Sequence, residues 1–545
     1  MAKKTVKLLD CTLRDGGFVN NWNFSNDCIL SIYKKLDTAN IDVIEVGFLD
    51  ERENFSKDRT INPDTKSYND IFSSISKNHS MAVAMIDYGT CSIENIEDAN
   101  NSFLDGIRII FKKNKIDGAL EFCKQVQEKG YKVFVQPVSV TSYSNSEWVE
   151  LIQKINKIEP YSVSVVDTYG LLHKNNLINY FNLADALLDE SIYIGYHSHN
   201  NFQLGYANCI ELIEHSKNRK ILLDGSIYGM GKGAGNANIE LIAMYMNDNK
   251  NKNYNINHML EIIDTHIIKL YNKYGWGYSM QYFISASNDC HPSYVKFLTE
   301  RKTLDIKSVN DILKMIDKER KLTYNEEYIE SLYMKYQIRD VKDDKVCNKL
   351  LNEFKDRNIL LIGPAKSSVE QESEIQKFII ANKPIVITIN HFNNSFKINY
   401  TFVSNKKRYK ELKELKKVFN DEKIILTSNI LTDNNELIVN YEDLLSENPL
   451  IMDNSLLMMI KFLIKLKVEK VYLAGFDGMS ANKEENYAIE SMRYSVDSEL
   501  ISTRNEAMTK ALKILSKYIN INFITNTKYD ILGDNKWDII MLYLI

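Results

Sequence analysis

From residue 6 to about residue 275, short apolar runs alternate with polar turns and amphipathic stretches. The runs predict strands at Val6–Asp10, Val43–Gly47, Ala82–Ile86, Gly106–Phe111, Lys132–Gln136, Ser162–Val166, Tyr193–His197 and Ile221–Asp224. Several are unbroken apolar segments rather than alternating ones, the pattern of parallel strands covered on both faces. Between them the spacing predicts helices over Ser25–Thr38, Ile116–Lys129, Ser146–Ile158, Asn175–Leu188 and Tyr206–His215, with Ser25 and Ser146 as N-caps. Eight such repeats in roughly 250 residues are the count and length of a (β/α)8 barrel. An open doubly wound sheet accounts for six of the strands equally well. A dinucleotide-binding fold fits less well, because the first strand–helix turn lacks G-x-G-x-x-G.

The pattern changes after residue 275. Ser308–Lys321 and Asn325–Tyr336 have helical periodicity without strand signals, and the charged run Arg339–Lys345 suits a boundary. Strand runs resume near Arg357, at Asn358–Ile362, Ile385–Ile389, Thr401–Val403, Ile424–Leu426, Val471–Ala474 and Asn522–Thr525. The expected fold is therefore α/β throughout. An N-terminal (β/α)8 TIM barrel covers 1–275, a helical extension and linker 276–345, and a separate Rossmann-like domain 346–545.

Composition narrows the function. The chain of 545 residues is too long for one core. Its 44% hydrophobic and 26% charged residues are those of an ordinary soluble protein. A net charge of −4 gives no global field for a nucleic acid or an anionic membrane. Seven scattered cysteines without a C-x-x-C pair argue against a disulfide framework or a zinc–thiolate site, and favour reduced thiols in the cytoplasm. Met1–Thr5 is not followed by the apolar core of a leader, and Leu456–Leu466 is too short and too charged to span a bilayer.

In a barrel, chemistry sits at the C-terminal ends of the strands. Those ends carry Arg14 and Asp15, Glu45, Asp87, Gln136, Asp167 and Thr168, and His197 and His199, followed by a glycine-rich loop from Gly229 to Asn236. Histidines two apart on a strand share a face, so both imidazoles can reach one ion, with a neighbouring carboxylate completing the set. Nitrogen and oxygen donors without thiolate suit Mn2+, Mg2+, Co2+ or Zn2+. Each feature also has an ordinary structural explanation: Arg14-Asp15-Gly16 as a turn, Glu45 as a partner for Arg108 or Lys112, the glycines as a flexible loop.

Taken together, Thr12-Leu13-Arg14-Asp15-Gly16, His197-Ser198-His199-Asn200-Asn201, and Gly231–Asn236 followed by Glu240 resemble the DRE-TIM metallolyase superfamily. That superfamily includes hydroxymethylglutaryl-CoA lyase, isopropylmalate and homocitrate synthases and 4-hydroxy-2-oxovalerate aldolase; the loops here look most like the aldolase. The resemblance implies that Asp15, His197 and His199, with Asn236 as a further ligand, hold a divalent cation, Mn2+ foremost. It also implies that Arg14 stabilises an enolate; among the strand-end residues Glu45 is a further catalytic candidate, and Thr168 and Gln136 are candidates for contacting the substrate. One position departs from the pattern: the aldolases carry a histidine base three residues beyond the aspartate, where this chain has Phe18. His291 is the candidate for the missing base, and a histidine packed at a helix start is the alternative.

The expected activity is a metal-dependent aldolase, making or breaking a C–C bond between pyruvate, or a similar 2-oxo acid, and an aldehyde. The last domain is weakly similar to sialyltransferase-like and motility-accessory-factor-like domains, on Ile362-Gly363-Pro364 with Ser367 and on Ala474–Gly478. That resemblance suggests a nucleotide or nucleotide-sugar ligand and a place in surface-glycan synthesis. Two rivals remain: a Claisen-type synthase joining an acyl-CoA to a 2-oxo acid, and a scaffold barrel fused to a transferase. The superfamily resemblance favours a homodimer.

Overall fold

A computed structural model describes residues 5–415, 423–432, 436–493 and 498–531. Met1–Lys4, at the start of the segment expected to lack a leader, lie outside the described residues. The chain divides into two compact units, Met1–Val295 with Lys321–Tyr324, and Lys296–Arg320 with Asn325–Ile545. Residues 276–345 thus contribute to both.

The first unit is an eight-stranded parallel barrel. Its strands are β1 (Val6–Asp10), β2 (Val43–Leu49), β4 (Met81–Asp87), β5 (Gly106–Phe111), β6 (Lys132–Pro137), β7 (Ser162–Asp167), β8 (Tyr193–Ser198) and β9 (Ile221–Gly225), while β3 (Ile61–Asn62) is a short addition beside β2. Pairing of β1 with both β9 and β2 closes the cylinder. The open-sheet alternative is therefore excluded. Every expected barrel strand is present, six of them extended by one or two residues.

Strand periodicity explains why the interior changes character along the axis. Leu9, Val43, Val83, Phe134, Tyr193 and Leu222 pack with Cys11 in one apolar cluster. Two residues further along the same faces come Glu45, Gln136 and Asp224, all buried. The apolar layer thus supports a charged layer toward the C-terminal ends of the strands.

Two helix starts differ from expectation. Ser144, not Ser146, caps Asn145–Asn156: its hydroxyl accepts from Glu147 N at 3.3 Å, and the Glu147 carboxylate takes the Ser144 N–H at 2.8 Å. The reciprocal box needs a Glu three residues on, which only Ser144 has. Ser25 occupies the N-cap position of Asn26–Thr38 at φ 66° without a side-chain cap, and Asp58 accepts the Asn26 N–H at 2.8 Å instead.

The second unit is built on a seven-stranded parallel sheet. Its strands are β10 (Ile359–Ile362), β11 (Ile385–Ile389), β12 (Tyr400–Val403), β13 (Lys423–Thr427), β14 (Leu437–Val439), β15 (Lys470–Ala474) and β16 (Asn520–Phe523), in the order β14-β13-β12-β11-β10-β15-β16. Strand order reverses between β10 and β15, the switch point of an open α/β sheet. There Gly475 has φ 72°, and a Cβ on it would lie 2.4 Å from the Gly363 carbonyl oxygen. The last strand is two residues earlier than expected, leaving Thr525 beyond it, where its hydroxyl accepts from Gly475 N at 2.9 Å. The helix expected over Ser308–Lys321 spans Ile306–Lys314.

Candidate metal centre

The centre is assembled from the ends of β1, β8 and β9. After Asp10 the chain turns sharply, and Asp15 N–H donates to the Cys11 carbonyl at 2.8 Å. Asp10 locks this turn by accepting from both Thr12 N (3.0 Å) and Thr12 Oγ1 (2.8 Å). Arg14 and Asp15 are thereby set at the mouth of the barrel, both buried. His197 lies within β8; His199 follows the strand and is held by an antiparallel bridge to Asn236.

Asp15, His197 and His199 place one ligand atom each within 4.8 Å of one another, all three residues buried. Asn236 donates from Nδ2 to Asp15 Oδ2 at 2.8 Å, and the Lys232 N–H donates to the same oxygen at 3.1 Å. The loop can approach this closely because residue 231 is glycine: a Cβ there would lie 2.3 Å from Asn236 Nδ2 and 2.7 Å from Asp15 Oδ2. The glycine-rich loop thus packs on the aspartate.

A chain of ionic contacts supports the centre from below. Arg14 donates from Nη1 to Asp15 Oδ1 at 2.6 Å and from Nε to Glu45 Oε2 at 2.7 Å. Glu45 Oε2 is also 3.1 Å from Arg108 Nη1, and Arg108 Nη2 donates to Asp224 Oδ2. Asp224 Oδ2 in turn lies 3.0 Å from His197 Nδ1. Three carboxylates therefore face two guanidiniums, a residual negative charge suited to a cation. Burial pushes the Asp15 carboxyl up, but Arg14, the two histidines and the Asn236 amide outweigh it and hold it well below the usual range. Burial lowers His199 to about 4, against the pull of Asp15, so its imidazole is neutral and offers a lone pair.

A divalent cation fits this donor set on geometric grounds. His199 Nδ1 and Asn236 Oδ1 are both buried without a hydrogen-bond partner. With Nδ1–H of His197 given to Asp224, its Nε2 is left as a donor to metal, the carboxylate–histidine arrangement that orients such ligands. Asp224 was missed in sequence: it is merely the last apolar run's terminal acid, and its importance comes from two partners far away in the chain.

The other expected residues fall in different places. Glu45 acts on Arg14 rather than facing an open site. Gln136 is buried and donates to Ser164 Oγ at 2.8 Å. Thr168 Oγ1 accepts from Ser139 N at 2.7 Å, which leaves its own proton free to donate. His291 Nδ1 accepts from Ser293 N at 3.2 Å, so a neutral ring carries its proton on Nε2 and is a donor rather than a base. Burial, then Lys232 and Lys112, lower its pKa and favour that neutral form. Phe18 is 41% exposed at the mouth, its ring 4.6 Å from that of Trp22, whose indole donates to the Arg14 carbonyl at 2.8 Å. All seven cysteines are free thiols. Among the described residues no helix is long and apolar enough to cross a membrane.

Residues 5–268 match the HMGL-like family. The HMGL-like segment is 26% identical over 225 residues to an oxaloacetate decarboxylase from Mycobacterium tuberculosis, covering 41% of this chain and 65% of that protein. It is 24% identical over 237 residues to a 4-hydroxy-2-oxovalerate aldolase from Geobacillus thermodenitrificans, covering 42% and 66%. The chain therefore spans just under two thirds of the length of these relatives. Among solved structures, the N-terminal domain of a provisionally named aldolase from Bacteroides vulgatus is similar at 27% identity with a TM-score of 0.47, over 57% of this chain and 100% of that one.

Proposed function

We propose that the barrel is a divalent-metal-dependent carbon–carbon lyase of the aldolase type, acting on pyruvate or a similar 2-oxo acid and an aldehyde. The observation that carries this is the convergence of Asp15, His197 and His199 with Arg14 alongside. A cation such as Mn2+ held there would supply Lewis acidity toward a chelating 2-oxo acid. Arg14 spends Nε on Glu45 and one Nη1 proton on Asp15, so its Nη2 edge is left for the oxygen on which enolate charge develops. Glu45 and Arg108 fix that guanidinium from below; they are positioning residues. Thr168 has a hydroxyl proton to give a carboxylate.

In condensation, the methyl carbon of pyruvate gives a proton to solvent, the enolate carbon attacks the aldehyde carbon, and the new alkoxide takes up a proton. Cleavage reverses these steps. Phe18 cannot carry either proton, and His291 is set as a donor, so His291 suits protonation of the alkoxide better than abstraction. The same position favours a second reading. Decarboxylation of a 2-oxo acid with a carboxylate on C3, such as oxaloacetate, needs no base at a hydroxyl: CO2 leaves, the bonding pair enters the enolate, and a proton from solvent completes the product.

The second unit is the proposed site for a nucleotide or nucleotide sugar, supported by the switch point between β10 and β15. A homodimer in the cytoplasm accords with the superfamily resemblance and the free thiols. The test is to supply Mn2+ and pyruvate with a panel of aldehydes, oxaloacetate, or acetyl-CoA. Condensation or CO2 release supports the two readings respectively. Thiol release from acetyl-CoA, or no turnover of any substrate, contradicts both.

A further inference from the structure

Lys232 stands in the glycine-rich loop directly above the metal ligands, its main chain fixed by the 3.1 Å hydrogen bond to Asp15. Its side chain folds back across the mouth, with Nζ 5.1 Å from the centroid of the Phe18 ring. That ring is a firm platform, because it leans on Trp22 and Trp22 is tied to the Arg14 carbonyl. A cation on an aromatic face is held in place while keeping its protons for another partner. Among the described residues no carboxylate is within ion-pair distance of the Lys232 ammonium.

His291 is held between the rings of Tyr169 and Tyr324, at 5.9 and 6.1 Å, with its proton on Nε2. It feels the charge of both Lys232 and Lys112. The 2-oxo acid's own carboxylate belongs at the metal and Thr168. A second anionic group is what this arrangement is equipped to receive.

We propose that Lys232, presented on Phe18, is a subsite for an anionic tail, phosphate or carboxylate, on the aldehyde co-substrate. The proposal rests on the aldolase reading of the same site. It also gives Phe18 a role: the residue that cannot serve as a base positions the cation that selects the substrate.

The experiment uses the full-length protein with Mn2+ and pyruvate, and reads kcat/KM by pyruvate consumption for two matched pairs. D-Glyceraldehyde 3-phosphate is set against D-glyceraldehyde, and succinic semialdehyde against butanal. At least one anionic aldehyde should exceed its neutral partner by roughly tenfold, the worth of one charge-assisted hydrogen bond. The pair that responds tells phosphate from carboxylate. The ratio should fall toward one in Lys232→Met and as NaCl is raised, and recover in Lys232→Arg, which also checks that the loop still folds. Exchange of the pyruvate methyl hydrogens with D2O is followed in parallel. Exchange with no anionic preference, with no turnover of any of the four aldehydes, or with an unchanged ratio in Lys232→Met overturns the subsite and leaves the metal–enolate chemistry standing. Absence of exchange in the wild-type protein overturns both.

Discussion

Asp224→Asn separates orientation of a metal ligand from simple ion pairing. Asp224 touches no candidate metal position itself; its Oδ2 holds His197 Nδ1 at 3.0 Å and also takes Arg108. The substitution preserves shape and one acceptor, but the amide oxygen must choose between the two donors and the negative charge is gone. Loss of a carboxylate behind a ligating imidazole costs about 10–100-fold in metal affinity, or roughly 1.4–2.7 kcal/mol. Arg108 keeps Glu45 at 3.1 Å, so it is only partly uncompensated. The accompanying loss of folding stability should therefore be no larger than the ~3–5 kcal/mol of a broken buried pair. Mn2+ titration by calorimetry gives the affinity, and urea unfolding with chelator present gives the metal-free stability. A variant that is less stable but binds Mn2+ as tightly as the wild type would refute the orienting role of Asp224.

Three further perturbations probe other parts of the structure. Gly231→Ala places a methyl against Asn236 and Asp15, at 2.3 and 2.7 Å before relaxation, so Mn2+ affinity should drop by about tenfold or more although every ligand is intact; unchanged affinity in the same titration contradicts the packing described. Phe18→His puts a proton acceptor where the ring now stands, and aldol cleavage of 4-hydroxy-2-oxopentanoate should rise by about 10²-fold, measured by coupled pyruvate detection. In the second unit, burial lowers the pKa of His391 to about 4 from 6.5, so between those values the unfolded chain binds the extra proton and stability falls on acidification. The slope contributed approaches ~1.4 kcal/mol per pH unit per proton. In denaturant titrations His391→Gln should therefore lose less stability than the wild type across that window, and equal losses contradict it.

Much of this was legible in the sequence because parallel barrel strands announce themselves. Unbroken apolar runs such as Ala82–Ile86 and Ile221–Leu223 have few other uses, and the polar residue ending each one lands on the rim by topology alone. Arg14, Asp15, His197 and His199 are thus brought to one rim by the strand order alone. What escaped depends on distance in the chain. Asp224 has its meaning from Arg108 and His197, 116 and 27 residues away. The cap supplied by Asp58 to Asn26 is 32 residues away and invisible to a local pattern. Strands β3 and β14, of two and three residues, are too short to show a period. His291 was recognisable as a candidate, but only the Ser293 N–H shows which nitrogen keeps the proton. Lys232 is indistinguishable in sequence from the rest of a flexible glycine-rich loop, and only its contact with Phe18 sets it apart.

The most direct measurement is exchange of the C3 hydrogens of pyruvate with D2O, followed by proton NMR. It needs no knowledge of the co-substrate and reports enolate formation alone. Wild-type protein with Mn2+ should exchange catalytically, stop when a chelator is added, and resume on re-addition of metal. Arg14→Ala should retain Mn2+ binding yet lose exchange by about 10²–10³-fold, as expected when one preorganised donor at the developing oxyanion is removed. Exchange that is absent in the wild type, indifferent to the chelator, or undiminished in Arg14→Ala would contradict a metal–enolate function for the barrel.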